Sequence, residues 1–378
     1  MSIRQYNLGS IIKPGFNPLG VQTTTTLYNL YGWGGNGNGQ LGLGNTTSYS
    51  SPKQVDSLTT WSNISRGSQF TIATKTDGTL WSWGQGSNGK LGLGNTTNYS
   101  SPKQIGALTT WGAVASGSTW TLAIKTDGTL WSWGQNDSGQ LGLNSATYSF
   151  SSPNQVGALT TWSNISGGGE HSIAIKTDGT IWSWGNNAQG QLGLGNTTQY
   201  RSPKQIGALT NWFKASCGNL FNIAIKTDGT LWAWGYNPSG QLGNGATGNI
   251  SSPIQIGALT TWSKVAAGRD FSSSIKTDGT VWVWGNNASG QLGLGNTTYY
   301  SSPKQVGSLT TWSKVACGAN GMLVIKTDGT LWVWGSNTSG ALGLGNLTNY
   351  SSPKQVGAST TWFFVAQGSD SNNPLALG

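Results

Sequence analysis

Few residues in this chain have the chemistry of a catalyst, and most of those recur at a fixed spacing. His171 is the single histidine. A triad or a metal site built on it would need partners close by. Glu170 adjoins it, but consecutive residues of a strand point to opposite faces. His171 is therefore expected to be a polar substitute in a slot that other repeats fill with an aromatic residue. Six aspartates, Asp77, Asp127, Asp178, Asp228, Asp278 and Asp328, stand in the same KTDG string. Asp-Gly between β-rich runs is turn chemistry, so they are expected to form hairpins and not to act as acids. Cys217 and Cys317 hold one position in repeats two apart, expected to lie beyond the ~7 Å Cα limit of a disulfide, and are read as small buried residues. The Gly-rich loops lack the strand-to-helix setting and the Lys-Ser/Thr of a phosphate loop. The expectation is a protein that binds and does not catalyse, with no catalytic, cofactor or metal residues.

The elements that position these residues are repeats. Trp-Gly falls at Trp33, Trp83, Trp133, Trp184, Trp234, Trp284 and Trp334. Ser-Pro follows at Pro52, Pro102, Pro153, Pro203, Pro253, Pro303 and Pro353, and a further Trp at Trp61, Trp111, Trp162, Trp212, Trp262, Trp312 and Trp362. The period is about 50 residues, a propeller-blade period. One extra residue, in LGLNSATYSFSSP, falls beside a turn signal and marks a loop. In STWTLAIKTDGTLWSWG an alternating run reaches Lys125, Thr126-Asp127-Gly128 turns the chain, and Leu130-Trp131-Ser132-Trp133 returns. Trp131 and Trp133 share one face of that strand. In VWVWG (281–285) both faces carry bulk, as in a strand covered on both sides.

Roughly four short strands fit each unit, and seven units can close a ring. The first lacks KTDGT and the last stops after TTWFFVAQGSDSNNPLALG, so each end carries the part the other lacks. The expected fold is all-β: a closed seven-bladed β-propeller of four-stranded blades, one blade shared between the N- and C-termini, with Leu30, Trp33, Trp362 and Phe364 at the closure. Sharing a blade removes open sheet edges. The expected organisation is an extended arm over 1–24 and the propeller over 25–378.

Charged residues are only 8% of the chain, while Trp numbers 21, which excludes a disordered polyelectrolyte. The net charge of +9 comes mainly from Lys53, Lys103, Lys204, Lys304 and Lys354 in SPKQ, with Lys214, Lys264 and Lys314. Without a long basic run it reads as a solubility device, with no specific nucleic-acid partner. The first residues lack the apolar core of a signal peptide, and no stretch of ~20 apolar residues spans a membrane.

DGTLWSWGQNDSGQLGL with the following SSP resembles the regulator of chromosome condensation repeat family. The likeness runs from about residue 27 to 378 and recurs seven times. It implies a seven-bladed propeller used as a binding scaffold: the family includes an exchange factor for the GTPase Ran, ubiquitin-ligase subunits, photoreceptor proteins and a β-lactamase inhibitor. The blades here are nearly interchangeable, and no distinctive loop or wedge marks one of them, which speaks against Ran exchange. The start, IKPGFNPLGVQTTTT, is similar to openings of tailed-phage structural proteins.

One short window varies among the near-identical units: Ser68-Gln69-Phe70, Ser118-Thr119-Trp120, Gly169-Glu170-His171, Asn219-Leu220-Phe221, Arg269-Asp270-Phe271, Ala319-Asn320-Gly321 and Ser369-Asp370-Ser371. All copies are expected on one face of the ring near its axis. Variation on a fixed framework is how a scaffold carries a binding surface. The candidate partner-binding residues are Phe70, Trp120, Glu170, His171, Phe221, Arg269, Asp270, Phe271 and Asn320, with Trp120 and the Phe slots expected at the surface. Ile3, Leu8, Ile11, Ile12 and Phe16 are candidate docking residues of the arm, apolar and without a place in a propeller core. The expected function is that of a structural or host-contact protein of a virion, in a phage capsid or tail. Other virion proteins would be partners through the arm, and a host-surface glycan or protein through the window. The alternatives are a cellular or secreted adaptor or inhibitor, cytoplasmic or extracellular, and a carbohydrate-binding propeller.

Overall fold

The computed structural model describes residues 28–366, 368, 371 and 374–378. The arm residues Ile3, Leu8, Ile11, Ile12 and Phe16 lie outside them. Twenty-eight strands form seven four-stranded antiparallel sheets, and the described residues hold no helix beyond one 3₁₀ turn at Ser87–Gly89. A typical blade runs Trp111–Ser116, Trp120–Lys125, Leu130–Gln135 and Ser149–Gln155, each strand paired to the next. The strand that opens each unit with Trp is innermost, and the innermost strands of successive blades lie side by side around the axis.

The remaining sheet is shared. Leu30–Gly34 and Tyr49–Gln54 come from the N-terminal side, Phe364–Ala366 and Leu375–Leu377 from the C-terminal side. Leu30 pairs with Leu377, which pairs in turn with Phe364. Trp33 packs edge-to-face on Trp362 at 6.1 Å. The closed ring and its seam are those expected from the two ends of the sequence.

Each hairpin is set by its turn. Asp127 Oδ1 accepts from the N–H (2.9 Å) and the hydroxyl (2.7 Å) of Thr129, and that hydroxyl accepts from Trp131 Nε1 at 2.9 Å. The Thr129 bonds hold the Asp127 carboxyl below the usual carboxylate range. Gly128 follows at φ +80°, where a Cβ would stand 2.1 Å from the Thr160 carbonyl. Only glycine fits that site. The extra residue sits in the loop before Ser149–Gln155. There Asn144 takes φ +50° where the other units have Gly, a left-handed position that Asn tolerates. The six KTDG lysines do not pair with these aspartates. Lys125 lies over Trp131 at 3.7 Å and Trp111 at 4.9 Å, as do its five counterparts over theirs.

The two faces of a blade pack on different neighbours. Trp111, Trp131 and Trp133 meet Phe70, Ile72, Leu80 and Ile105 of the preceding blade. Leu122, Ile124 and Leu130 meet Trp162, Trp182 and Trp184 of the following one. The three indoles of a unit stand edge-to-face, with Trp111 at 5.9 and 6.2 Å from Trp131 and Trp133, a favourable aromatic geometry. A hydrogen bond then ties every blade to the one before it. Trp133 Nε1 donates to the Lys90 carbonyl at 3.1 Å, and Trp83, Trp184, Trp234, Trp284 and Trp334 do likewise. Trp33 donates to Ala341 at 2.9 Å, carrying the tie across the seam. Cys217 and Cys317 are free and buried, and burial pushes the Cys217 thiol up to about 12.

Candidate functional site

Strand order decides what each face of the ring displays. The window joins the innermost strand to the second. The loop after Trp-Gly joins the third to the outermost. In an up-and-down blade both connections fall at the same end, so both variable segments emerge on one face. The KTDG turns and the GALTTW linkers, nearly constant in sequence, emerge on the other.

The windows are stitched to one another around the axis. Ser68 N–H donates to the Ser118 carbonyl (3.1 Å) and Ser118 N–H to Gly168 (3.2 Å). Gly169 N–H donates to Asn219 (2.9 Å), Asn219 to Arg269 (3.2 Å), Arg269 to Gly318 (3.3 Å) and Ala319 to Ser371 (3.0 Å). Residues 369 and 370 of the last window lie outside the described residues. The second variable loop joins this ring. Asn38 Nδ2 donates to Gln69 Oε1 at 3.1 Å, while Ser138 Oγ (3.1 Å) and Asn186 Nδ2 (2.8 Å) both donate to Glu170 Oε2.

The structure corrects the expected exposure of five window residues. Phe70, Trp120, His171, Phe221 and Phe271 are all 0% exposed. Each is the first residue of its blade's second strand, opposite a glycine such as Gly84 or Gly134. Their side chains turn into the ring. At Gly67, Gly117, Gly168, Gly218 and Gly268 an added Cβ would fall 1.9–2.3 Å from them. His171 bonds through Nε2 to Asn222 Oδ1 of the next blade at 2.7 Å, and burial pulls its pKa down to about 4. It is a neutral inter-blade link. Stacking of a sugar on Trp120 or the Phe slots, as the carbohydrate reading required, is overturned by the same burial. Gly321 fills the sixth slot without a side chain.

Glu170, Arg269, Asp270 and Asn320 do reach the surface, as expected. Arg269 Nε stands 4.0 Å from Asp270 Oδ2. Beside residues such as Arg269, each window presents the residue before the buried slot: Gln69, Thr119, Glu170, Leu220, Asp270 and Asn320. Blade by blade the surface changes from amide to hydroxyl, carboxylate, aliphatic, carboxylate and amide. A cavity of 450 Å³ opens among them, lined by Thr119, Glu170, Asn219 and Leu220 with Gln135, Asn186 and Gln189 of the second variable loop. Sequence reasoning missed Gln69, Thr119 and Leu220 as the displayed residues. They lie in the loop before a strand that is buried on both faces, so strand alternation gave no signal for them.

Comparison with known proteins places this geometry. The RCC1-like domain description matches residues 20–263, and the regulator of chromosome condensation (RCC1) repeat matches 278–325 and 328–370. No curated protein matches the chain in sequence. Among solved structures, human WBSCR16 is similar with a TM-score of 0.83 at 21% identity, over 93% of this chain and 99% of that one. Yeast RCC1 (Prp20), solved bound to Kap60, is similar with a TM-score of 0.82 at 20% identity, over 94% of this chain and 89% of that one. Prp20p from Saccharomyces cerevisiae, described with its binding properties to Gsp1p and histones, reaches 0.83 at 19%, over 94% and 92%.

Proposed function

This chain belongs to the RCC1-like domain family, and we propose that it is a protein-binding propeller whose variable face is the partner surface. The observation that carries the reading is the convergence of both variable segments on one face, while the opposite face repeats almost verbatim. The stitched window ring makes that face a rigid platform, and rigid presentation lowers the ordering cost of association. Similar structures that were solved or described with protein partners, Kap60 for one and Gsp1p and histones for the other, support a binding role of the fold. At 19–21% identity they do not name a partner for this chain. The test is a comparison of captures. Thr119→Arg with Glu170→Lys should abolish retention of one specific protein that the wild type retains, while Lys354→Glu on an outer strand should not. Loss with both, or with neither, removes the face from the reading.

The narrower assignment, a virion protein held by residues 1–24, rests on the near-verbatim repeats and on the apolar arm residues Ile3, Leu8, Ile11, Ile12 and Phe16. Mass spectrometry of purified particles tests it. A chain starting at residue 25 should fold and fail to join the particle. Joining without the arm would transfer attachment to the propeller.

A further inference from the structure

A recurring cavity lies between successive blades on the ring's flank. Four copies, of 330 to 380 Å³, open at Trp162, Trp212, Trp312 and Trp362. At Trp212 the lining includes Gln205, Gly207 and the half-exposed Leu209 of one blade, and Trp212, Trp232 and Pro253 of the next. None of these residues belongs to the variable face.

The wall of each cavity carries a donor. Nε1 of Trp212 is buried and has no hydrogen-bond partner, and the same is true of Trp111, Trp162, Trp262, Trp312 and Trp362. These indoles are at most 8% exposed. A buried N–H without an acceptor is destabilising, and here it is repeated at one position in six units. The Trp33-type indoles, by contrast, all reach a carbonyl.

The seventh copy of this indole has its acceptor. Asp56 stands where the other linkers have Gly106, Gly157, Gly207, Gly257, Gly307 and Gly357. Its Oδ1 accepts from Trp61 Nε1 at 3.2 Å and from the Leu58 N–H at 3.0 Å. Trp61 is seated as Trp212 is. Its centroid lies 6.2 and 5.6 Å from Trp81 and Trp83, against 5.8 and 5.9 Å for Trp212 from Trp232 and Trp234. A lysine ammonium lies 4.8 Å from the ring in both. The Asp56 carboxylate therefore marks where an acceptor belongs beside the other six indoles. Gly207 and its five counterparts take φ near +60°, a conformation that Asp56 does not share, and at Gly207 an added Cβ would meet nothing within 4 Å.

We propose that the glycine-linker cavities at Trp162, Trp212, Trp312 and Trp362 bind acidic side chains of a partner protein, one aspartate or glutamate carboxylate per cavity, in the place that Asp56 fills for Trp61. Charge favours such an occupant. The chain carries +9, and the Lys226 ammonium lies over both indoles of the Trp212 cavity, 4.8 and 3.5 Å from their centroids. The occupant already in place is peptidyl, an aspartate followed two residues later by an exposed leucine, Leu58. An acidic residue beside an apolar one on a partner segment would meet the same indole and the same kind of leucine. Four similar sites around one rim also allow several weak contacts to act together.

The test uses the full chain with ¹⁵N-labelled tryptophan and the peptide acetyl-Asp-Ser-Leu-amide. The indole N–H signals of Trp162, Trp212, Trp312 and Trp362 should shift on titration, and that of Trp61 should not. The Asn counterpart of the peptide should bind at least about tenfold more weakly, since it lacks the charged acceptor. Asp56→Gly installs the glycine of the other linkers; it should fold and should add Trp61 to the responding signals. Absence of shifts, an equal response of Trp61 in the wild type, or equal binding of the Asn peptide would overturn the assignment. Shifts with glucuronate but not with the peptide would overturn the peptide as occupant. Capture through the variable face is read separately, so either result leaves the other reading testable.

Discussion

The two faces of this ring are built from the same strands and obey different rules. On the turn face, six Asp-Thr-Trp relays repeat with donor–acceptor distances that agree within 0.1 Å. On the variable face a backbone ring also recurs, with bonds of 2.9–3.3 Å whose acceptor shifts between blades, and the displayed side chains differ at every blade. Backbone bonds carry the fold there, so the side chains pointing outward are free to vary. One residue along, the side chain enters the ring and its freedom ends. Phe70, Trp120, His171, Phe221 and Phe271 are varied in sequence yet fully buried, and what varies at those slots is core.

The largest effect expected from breaking the framework is at the seam. Deleting 361–378 removes two of the four strands of the shared sheet and exposes sheet edges on both sides. Cooperative unfolding should be lost and the chain should aggregate, as read by calorimetry and light scattering. A monomeric, cooperatively folding product would show that the ring does not depend on closure.

Next come the buried tryptophans. Trp133→Ala removes a fully buried ring and its bond to Lys90, and Trp120→Ala removes a ring equally buried beneath the variable face. Each should cost about 3–5 kcal/mol in denaturant unfolding. A small loss at Trp120 alone would return that residue to the surface and redraw the boundary between display and core.

His171 sharpens the boundary through pH. Its pKa is about 4 in the fold, against 6.5 for the free side chain. Below pH 6.5 the unfolded chain therefore takes up a proton that the folded chain refuses. Stability should be unaffected by this group above pH 6.5 and should fall as pH drops toward 4, by roughly 3 kcal/mol across the window. His171→Phe, the residue of the Phe70 slot, should remove that part of the acid loss. An unchanged acid profile would mean that His171 reaches solvent. The smallest effect on stability is expected at the neighbouring residue. Glu170→Gln should change the unfolding free energy by less than about 0.5 kcal/mol while weakening partner capture.

Much of this protein is legible in its sequence because propeller blades are made of local rules. Asp127-Gly128 sets a hairpin, Trp131 and Trp133 alternate onto one face, and the truncated first and last units each carry what the other lacks. Period, strand count, closure and the turn-forming role of the aspartates all follow without reference to distant residues. Tertiary structure decided what depends on the neighbouring blade. Whether Trp120 lies at the surface or in the core is set by the Gly117 turn beneath it and by the blade packed against it, and no local pattern records either. The bond from Trp133 to a carbonyl 43 residues earlier, the unpartnered buried indole N–H of Trp212 and the meeting of two variable loops on one face are likewise properties of blades in contact. Burial and hydrogen-bond satisfaction are decided between blades, whereas turns and alternation are decided within one.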